Sequence, residues 1–132
     1  MPDVPDDLHY SQDHLWVRPV DPGGLARVGV TDFAQDSLGD VVNVSPPAVG
    51  DAVHAGEACG EIESVKSAND LIAPLTGTVH ARNDELERAP ELVNTDPYGR
   101  GWIIEVASDP VTLGQQLAAL LVAAAYRNLT AE

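Results

Sequence analysis

The sequence is short of cations: seven Lys plus Arg residues stand against twenty-one Asp plus Glu, for a formal net charge of −14. Phosphate backbones and anionic lipid headgroups are held by clustered Lys and Arg, so neither a nucleic acid nor a membrane is an expected partner. The acidic residues are spread along the chain instead of gathered in a tail, which fits a solvated surface. With one cysteine, Cys59, no intramolecular disulfide can form, and an oxidising compartment is not indicated. No apolar run approaches the length that spans a bilayer. The opening Met1-Pro2-Asp3-Val4-Pro5-Asp6-Asp7 lacks the basic and apolar regions of a signal peptide and the arginine-rich character of a transit peptide. A cytoplasmic location is the expectation.

What is present suits a small β-rich globule. The 132 residues are 44% hydrophobic, and a domain of that size buries about two thirds of the surface its unfolded chain exposes. Eleven glycines and ten prolines point to many turns and short strands. His14 to Val20 and Leu25 to Val30 read as strands joined at Asp21-Pro22-Gly23-Gly24. Thr31 is placed to cap a short helix running to Leu38, with Asp32 in the positive first turn and Gly39 as the stop. Asp40 to Ser45 is a further strand, ended by Pro46-Pro47. Between Gly50 and Val79, short β-type runs are broken by Gly56, Gly60, Pro74 and Gly77, a rhythm that suits a sandwich or flattened barrel. Leu92-Val93-Asn94 leads into a turn at Pro97-Tyr98-Gly99, then a strand from Trp102 to Val106. From Thr112 the spacing of Leu113, Leu117, Leu120, Leu121 and Ala124 becomes helical, with Thr112 and Gln115 resembling a capping box. A terminal amphipathic helix over 112–129, packed on a single domain of residues 1–132, is expected. The tripeptide Val-His-Ala begins at Val53 and again at Val79, thirteen residues to either side of Lys66, a placement that a pseudo-symmetric fold about a central turn permits.

Lys66 is the sole lysine; Arg18, Arg27, Arg82, Arg88, Arg100 and Arg127 are the other cations. It falls between two β-type runs, Glu61 to Ser64 and Asn69 to Ala73, where a tight hairpin tip is expected. A primary amine can be acylated to a stable amide, whereas a guanidinium resists this, so a requirement for an amine explains why arginine does not stand there. An exposed bend makes such an amine reachable, and flanking strands hold it in register. These are the properties of an attachment site for a swinging arm. The competing reading is an ordinary surface lysine.

Glu63-Ser64-Val65-Lys66-Ser67, followed by Asp70 and by Ala73-Pro74-Leu75-Thr76-Gly77, resembles the lipoyl-attachment segment of glycine cleavage H proteins. Further blocks agree in order and spacing: Gly29-Val30-Thr31, Leu38-Gly39-Asp40, Val49-Gly50-Asp51, Glu91-Leu92-Val93-Asn94, Pro97-Tyr98 and Gly101-Trp102. The resemblance runs from about His9 to the terminal helix. It implies a mainly β fold with short helices, the lipoyl-domain (hybrid barrel-sandwich) arrangement of two antiparallel sheets with a short early helix and a C-terminal one.

It also implies a non-catalytic carrier with lipoate covalently bound to Lys66. In such a system an aminomethyl group passes from the pyridoxal-phosphate P protein (glycine decarboxylase) to the T protein (aminomethyltransferase), and the L protein (dihydrolipoamide dehydrogenase) reoxidises the arm. By the same resemblance Glu63 and Gly50 serve recognition by the lipoylating enzyme, and Asp70 lies beside the pocket that shelters the loaded arm. Read without the resemblance, these three are a solvated strand carboxylate, a turn glycine and a turn carboxylate. A monomer suits a carrier that visits several enzymes. One departure stands out: where the family follows the histidine at His14 with a glutamate, this chain has Leu15, which cannot accept a hydrogen bond, so either Asp13 or Asp70 compensates or the loaded form is less protected. That leaves a second function open, an H-like relay of lipoyl or octanoyl groups to other lipoate-dependent complexes. Asn43, where an aromatic residue is usual, is a smaller departure.

Two other classes fit less well. A biotin carrier normally flanks its lysine with methionines, and here Val65 and Ser67 take those places. For an enzyme, Glu61 and Glu63 share one strand face and read as solvated, a Schiff-base lysine would need a desolvating pocket, and His54, His80 and Cys59 lack metal-ligand spacing. Cys59 reads as a small packed strand residue.

Overall fold

The computed structural model describes residues 3–20 and 24–130. Among the described residues nine strands and four α-helices follow one another: β1 (His9–Tyr10), β2 (Leu15–Val20), β3 (Leu25–Val30), α1 (Asp32–Leu38), β4 (Val41–Ser45), β5 (Ala52–Val53), β6 (Ala58–Ser64), β7 (Ala68–Ile72), β8 (Gly77–Arg82), a 3₁₀ turn (Asp84–Glu87), α2 (Leu92–Thr95), β9 (Ile104–Ala107), α3 (Pro110–Ala119) and α4 (Ala123–Thr130). They make two antiparallel sheets, one of six strands in the order β1-β2-β3-β9-β8-β5 and one of three in the order β4-β6-β7, with neither closed into a barrel. The mainly β fold with short early and terminal helices is as the sequence implies.

Alternation along the strands builds the interior. Val28 and Val30 of β3, Val79 of β8, Ile104 and Val106 of β9 face Val41 and Val44 of β4, Ile62 of β6 and Leu71 of β7, all nearly inaccessible, and these belong to one cluster. Each such side chain contributes about 1.5–3 kcal/mol on burial. A second cluster joins Leu8, Tyr10 and Trp16 to Ala123 and Tyr126 of α4, with the Trp16 indole N–H donating to Pro97 O at 2.9 Å. Val53 and Val79 of the repeated tripeptide are both buried, on strands paired through Val53↔Gly77.

The hairpin of β2 and β3 forms with Val20 opposite Leu25, while residues 21–23 of the expected turn lie outside the described residues. Thr31 caps α1 as expected, its hydroxyl accepting the Ala34 N–H at 3.1 Å, and Gly39 stops the helix at φ 77°, a left-handed value that favours glycine.

Three expectations need correction. The terminal helix is two helices: Leu120 turns to extended backbone and Leu121 exchanges both backbone hydrogen bonds with Tyr10 at 2.8 Å, so these groups are taken up by β1 and the helix cannot run through. Its cap is Asp109, whose carboxylate accepts the Val111 and Thr112 N–H groups, and Pro110 occupies the first turn, so the capping box at Thr112 does not form. Leu92–Thr95 is a short helix, and β9 starts at Ile104 because Ile103 and Trp102 still belong to the turn network of Asn83, whose amide donates to Arg100 O and Trp102 O at 2.7 Å.

Candidate functional site

The β6–β7 hairpin places Lys66 at its tip, beyond the last pair Glu63↔Ala68. Within the bend the Ser64 N–H donates to Ser67 O at 2.8 Å, and the Ser64 hydroxyl accepts the Lys66 and Ser67 N–H groups at 3.2 and 3.3 Å. Serine braces tight turns in this way, satisfying donors that strand pairing no longer reaches. Val65, 68% exposed, and Lys66 therefore project from a fixed loop. The loop is anchored by the Val65 N–H to Asp40 O at 3.0 Å.

Every ion pair among the described residues uses arginine, and none reaches Lys66. Its amine instead points to Ser37 O at 3.4 Å, in the last turn of α1, where carbonyls lack intrahelical partners and the helix is partially negative. The lysine stem crosses Gly39, where a Cβ would meet Lys66 Cε at 3.0 Å. Asn94 of α2 fixes this junction: its amide oxygen accepts the Val41 N–H at 2.9 Å, and its amide nitrogen donates to Gly39 O at 2.8 Å and to Gln35 Oε1 at 3.0 Å.

Beside the lysine, between α1, β7 and the loop before β2, lies a cleft of about 440 Å³. Phe33, Ala34, Ser37 and Leu38 of α1 form one wall, spaced so that a single helical face lines it. Leu15, Ile62 and Leu71 contribute apolar surface, and Asp13, His14, Asn69 and Asp70 the polar groups. Ser37 belongs to the cleft and also contacts the amine, so Lys66 sits at the cleft's rim. His14 is held in left-handed backbone at φ 68° and packs on Phe33 with ring centroids 4.9 Å apart; burial pushes its pKa down, against a smaller opposing pull from Asp13. Leu15 is buried in the core while still lining the cleft.

Of the residues singled out from sequence, the fold brings Lys66 and Glu63 together on one hairpin and puts Asp70 on the cleft. Glu63 is half-buried and accepts from Asn43 Nδ2 at 3.2 Å. Asp70 is exposed and paired in register with Glu61. Gly50 is not brought to the tip: it lies beyond Ser45, at the end of β4 remote from Lys66, with φ 93° and its N–H on Val79 O at 2.9 Å. Cys59 is half-buried against the core, and burial pushes its thiol pKa up, which keeps it protonated. Among the described residues no His, Cys, Asp and Glu gather as a metal site, and no helix is long and apolar enough to cross a membrane.

The sequence profile of the glycine cleavage H-protein family matches residues 8–132. The chain belongs to the glycine cleavage H-protein family. Curated H-protein relatives span it completely: the glycine cleavage system H proteins of Mycobacterium avium (strain 104) and Mycobacterium tuberculosis (strain H37Rv) are 53% and 48% identical, with 100% of each chain covered. The crystal structure of a glycine cleavage system H protein from Mycobacterium marinum superposes with a TM-score of 0.82 at 40% identity, covering 95% of this chain and 97% of that one.

Two residues shape the tip of this H-protein family member without standing out in its sequence for that role. Ser64 and Asn94 were visible as parts of matching blocks, but their roles were not. For Ser64 a signal existed, since a serine opening a two-residue bend can brace it. For Asn94 none did, because its partners lie 53 to 59 residues away.

Proposed function

We propose that this chain is the lipoyl-bearing carrier of glycine cleavage, with Lys66 as the attachment point. The observation that carries the reading is an amine free of carboxylate partners among the described residues, on a braced bend, at the rim of a cleft. Bound there as an amide, the lipoyl group supplies the reversible disulfide–dithiol chemistry on which the aminomethyl fragment of glycine travels between the P, T and L proteins.

The chain's own residues do the rest. Because Lys66 has no ion pair among the described residues, acylating it breaks none there, and a weak contact to Ser37 O is what must open. Ser64 and Asp40 hold the tip, so the arm swings from a fixed pivot and meets each active site at high effective concentration. The cleft walls of Phe33, Leu38 and Leu71 exclude water from an apolar occupant. Asp13 and Asp70, lining the same cleft, supply the negative charge that Leu15 cannot. Glu63 beside the tip serves recognition by the lipoylating enzyme, whereas Gly50 acts at a distance, by shaping the loop on β8. The chain works as a single-domain monomer in the cytoplasm and turns over neither glycine nor tetrahydrofolate by itself.

Lys66→Arg tests the site. Intact-mass measurement after incubation with a lipoylating enzyme and activated lipoate is expected to show one added lipoyl group on the parent chain and none on the variant, at unchanged thermal stability. A lipoyl mass on the variant overturns the assignment. Reconstitution of the loaded chain with P and T proteins is expected to restore glycine cleavage; loading without cleavage favours the relay role that Leu15 leaves open.

A further inference from the structure

We propose that Tyr126 of α4 is a positioning residue that fixes His14 as its neutral Nε2–H tautomer, so that the cleft presents one oriented N–H donor to its occupant. The hydroxyl protons available decide the tautomer. Thr31 Oγ1 lies 2.7 Å from the Tyr126 hydroxyl, which lies 2.8 Å from His14 Nδ1. Thr31 Oγ1 already accepts the Ala34 N–H as the cap of α1. Each hydroxyl has one proton to give.

Thr31 is fully buried, and the Tyr126 oxygen is the one acceptor in reach of its proton among the described residues. The Thr31 proton therefore goes to Tyr126, and the Tyr126 proton goes to His14 Nδ1, which must be a bare acceptor. The ring proton is left on Nε2. A protonated Nδ1 donating to Tyr126 strands a proton in the interior either way: if Tyr126 donates to Thr31, the Thr31 proton is left without an acceptor, and if Tyr126 accepts from both neighbours, its own proton is, among the described residues. Folded proteins rarely keep such an arrangement.

The frame that holds the chain is rigid. Tyr126 is fully buried and stacks on Tyr10 with centroids 4.6 Å apart and planes 11° apart, while Phe33 packs on the His14 ring. His14 Nε2 has no partner among the described residues and is not a sealed, unsatisfied atom, so solvent reaches it at a residue that lines the cleft. The occupant it fits offers a neutral or anionic acceptor such as an amide carbonyl. This deepens the proposed function and rests on it only for what occupies the cleft; the tautomer stands on the unmodified chain.

Long-range proton–nitrogen NMR on the unmodified, ¹⁵N-labelled protein reads the ring directly. Above the His14 titration, Nδ1 is expected to be pyridine-like and Nε2 pyrrole-like; a pyrrole-like Nδ1 overturns the proposal without any variant. Tyr126→Phe keeps the stack and removes the hydroxyl, so a donor that favours the neutral ring is lost and the His14 pKa is expected to rise. A fall or no change overturns it, since loss of an acceptor for Nδ1–H would move the pKa down. Asp13 beside the ring and Asp70 on the same cleft are the charged groups facing it, and the variant leaves both in place. Thr31→Ser, which retains the hydroxyl, is expected to keep the parent value. Failure of Lys66 to accept a lipoyl group would leave these ring measurements untouched, so the two readings fail separately.

Discussion

Asn94 holds the floor under the lysine-bearing bend, and its three amide bonds go to the end of α1 and the start of β4. Replacing it with alanine leaves the Val41 N–H and the Gly39 carbonyl without partners in part-buried surroundings. Each buried group left unsatisfied costs about 1–3 kcal/mol, so Asn94→Ala is expected to lose roughly that range in urea unfolding. Asp40 follows Gly39 directly and carries the carbonyl that anchors Val65, so amide exchange at Val65 should quicken in the variant; an unchanged rate would show that the bend is held without this support. The exposed place of Lys66 at a hairpin tip was legible in the sequence, because it falls between two β-type runs, and its proposed role rests on its own chemistry, an amine where every other cation is a guanidinium. Asn94 was not, because its meaning lies in what tertiary folding brings to it. Asp13 and Asp70 fall between the two: the sequence offered either as a substitute for the missing carboxylate, and the fold places both on the cleft.

At the level of elements, strands bounded by Gly and Pro and the helix between Thr31 and Gly39 were readable, since local turn and cap chemistry decides them. The C-terminal segment was not, because tertiary pairing overrides an unbroken apolar period: β1, a two-residue strand with no pattern of its own, takes the backbone of Leu121. The cap was misplaced for a related reason. Thr112 and Gln115 fit the capping pattern, but Asp109-Pro110 three residues earlier is the stronger start. Removing an N-cap carboxylate costs about 0.5–2 kcal/mol, so Asp109→Ala is expected to lower stability by about 1 kcal/mol. Thr112→Ala removes an exposed side chain with no capping bond and is expected to stay within about 0.5 kcal/mol of the parent. Equal losses in the two variants, read from denaturant midpoints, would restore the capping box.

For the whole molecule, the excess of carboxylates sets how stability responds to salt. Two electrostatic effects oppose each other. Salt weakens the surface pairs of Arg82, Arg100 and Arg127, but these exposed pairs are worth about 0–1 kcal/mol each. Salt also screens the mutual repulsion of a chain with a formal charge of −14, and folding brings those charges closer than they lie in the unfolded chain. The Debye length shrinks from about 30 Å at 0.01 M to about 8 Å at 0.15 M, the span over which charges across a molecule of this size stop sensing one another. Repulsion involves many more charges than the few pairs, so it decides the sign: the melting temperature is expected to rise between 0.01 and 0.15 M sodium chloride, and to rise equally in potassium chloride, since no specific ion is involved. Acylating Lys66 takes the formal charge from −14 to −15 and removes the one amine on the hairpin, where Glu61 and Glu63 remain. The loaded chain should therefore melt slightly below the unloaded one at 0.01 M, with the gap narrowing at 0.15 M. A melting temperature that falls as salt is added would show instead that the arginine pairs outweigh the carboxylate excess.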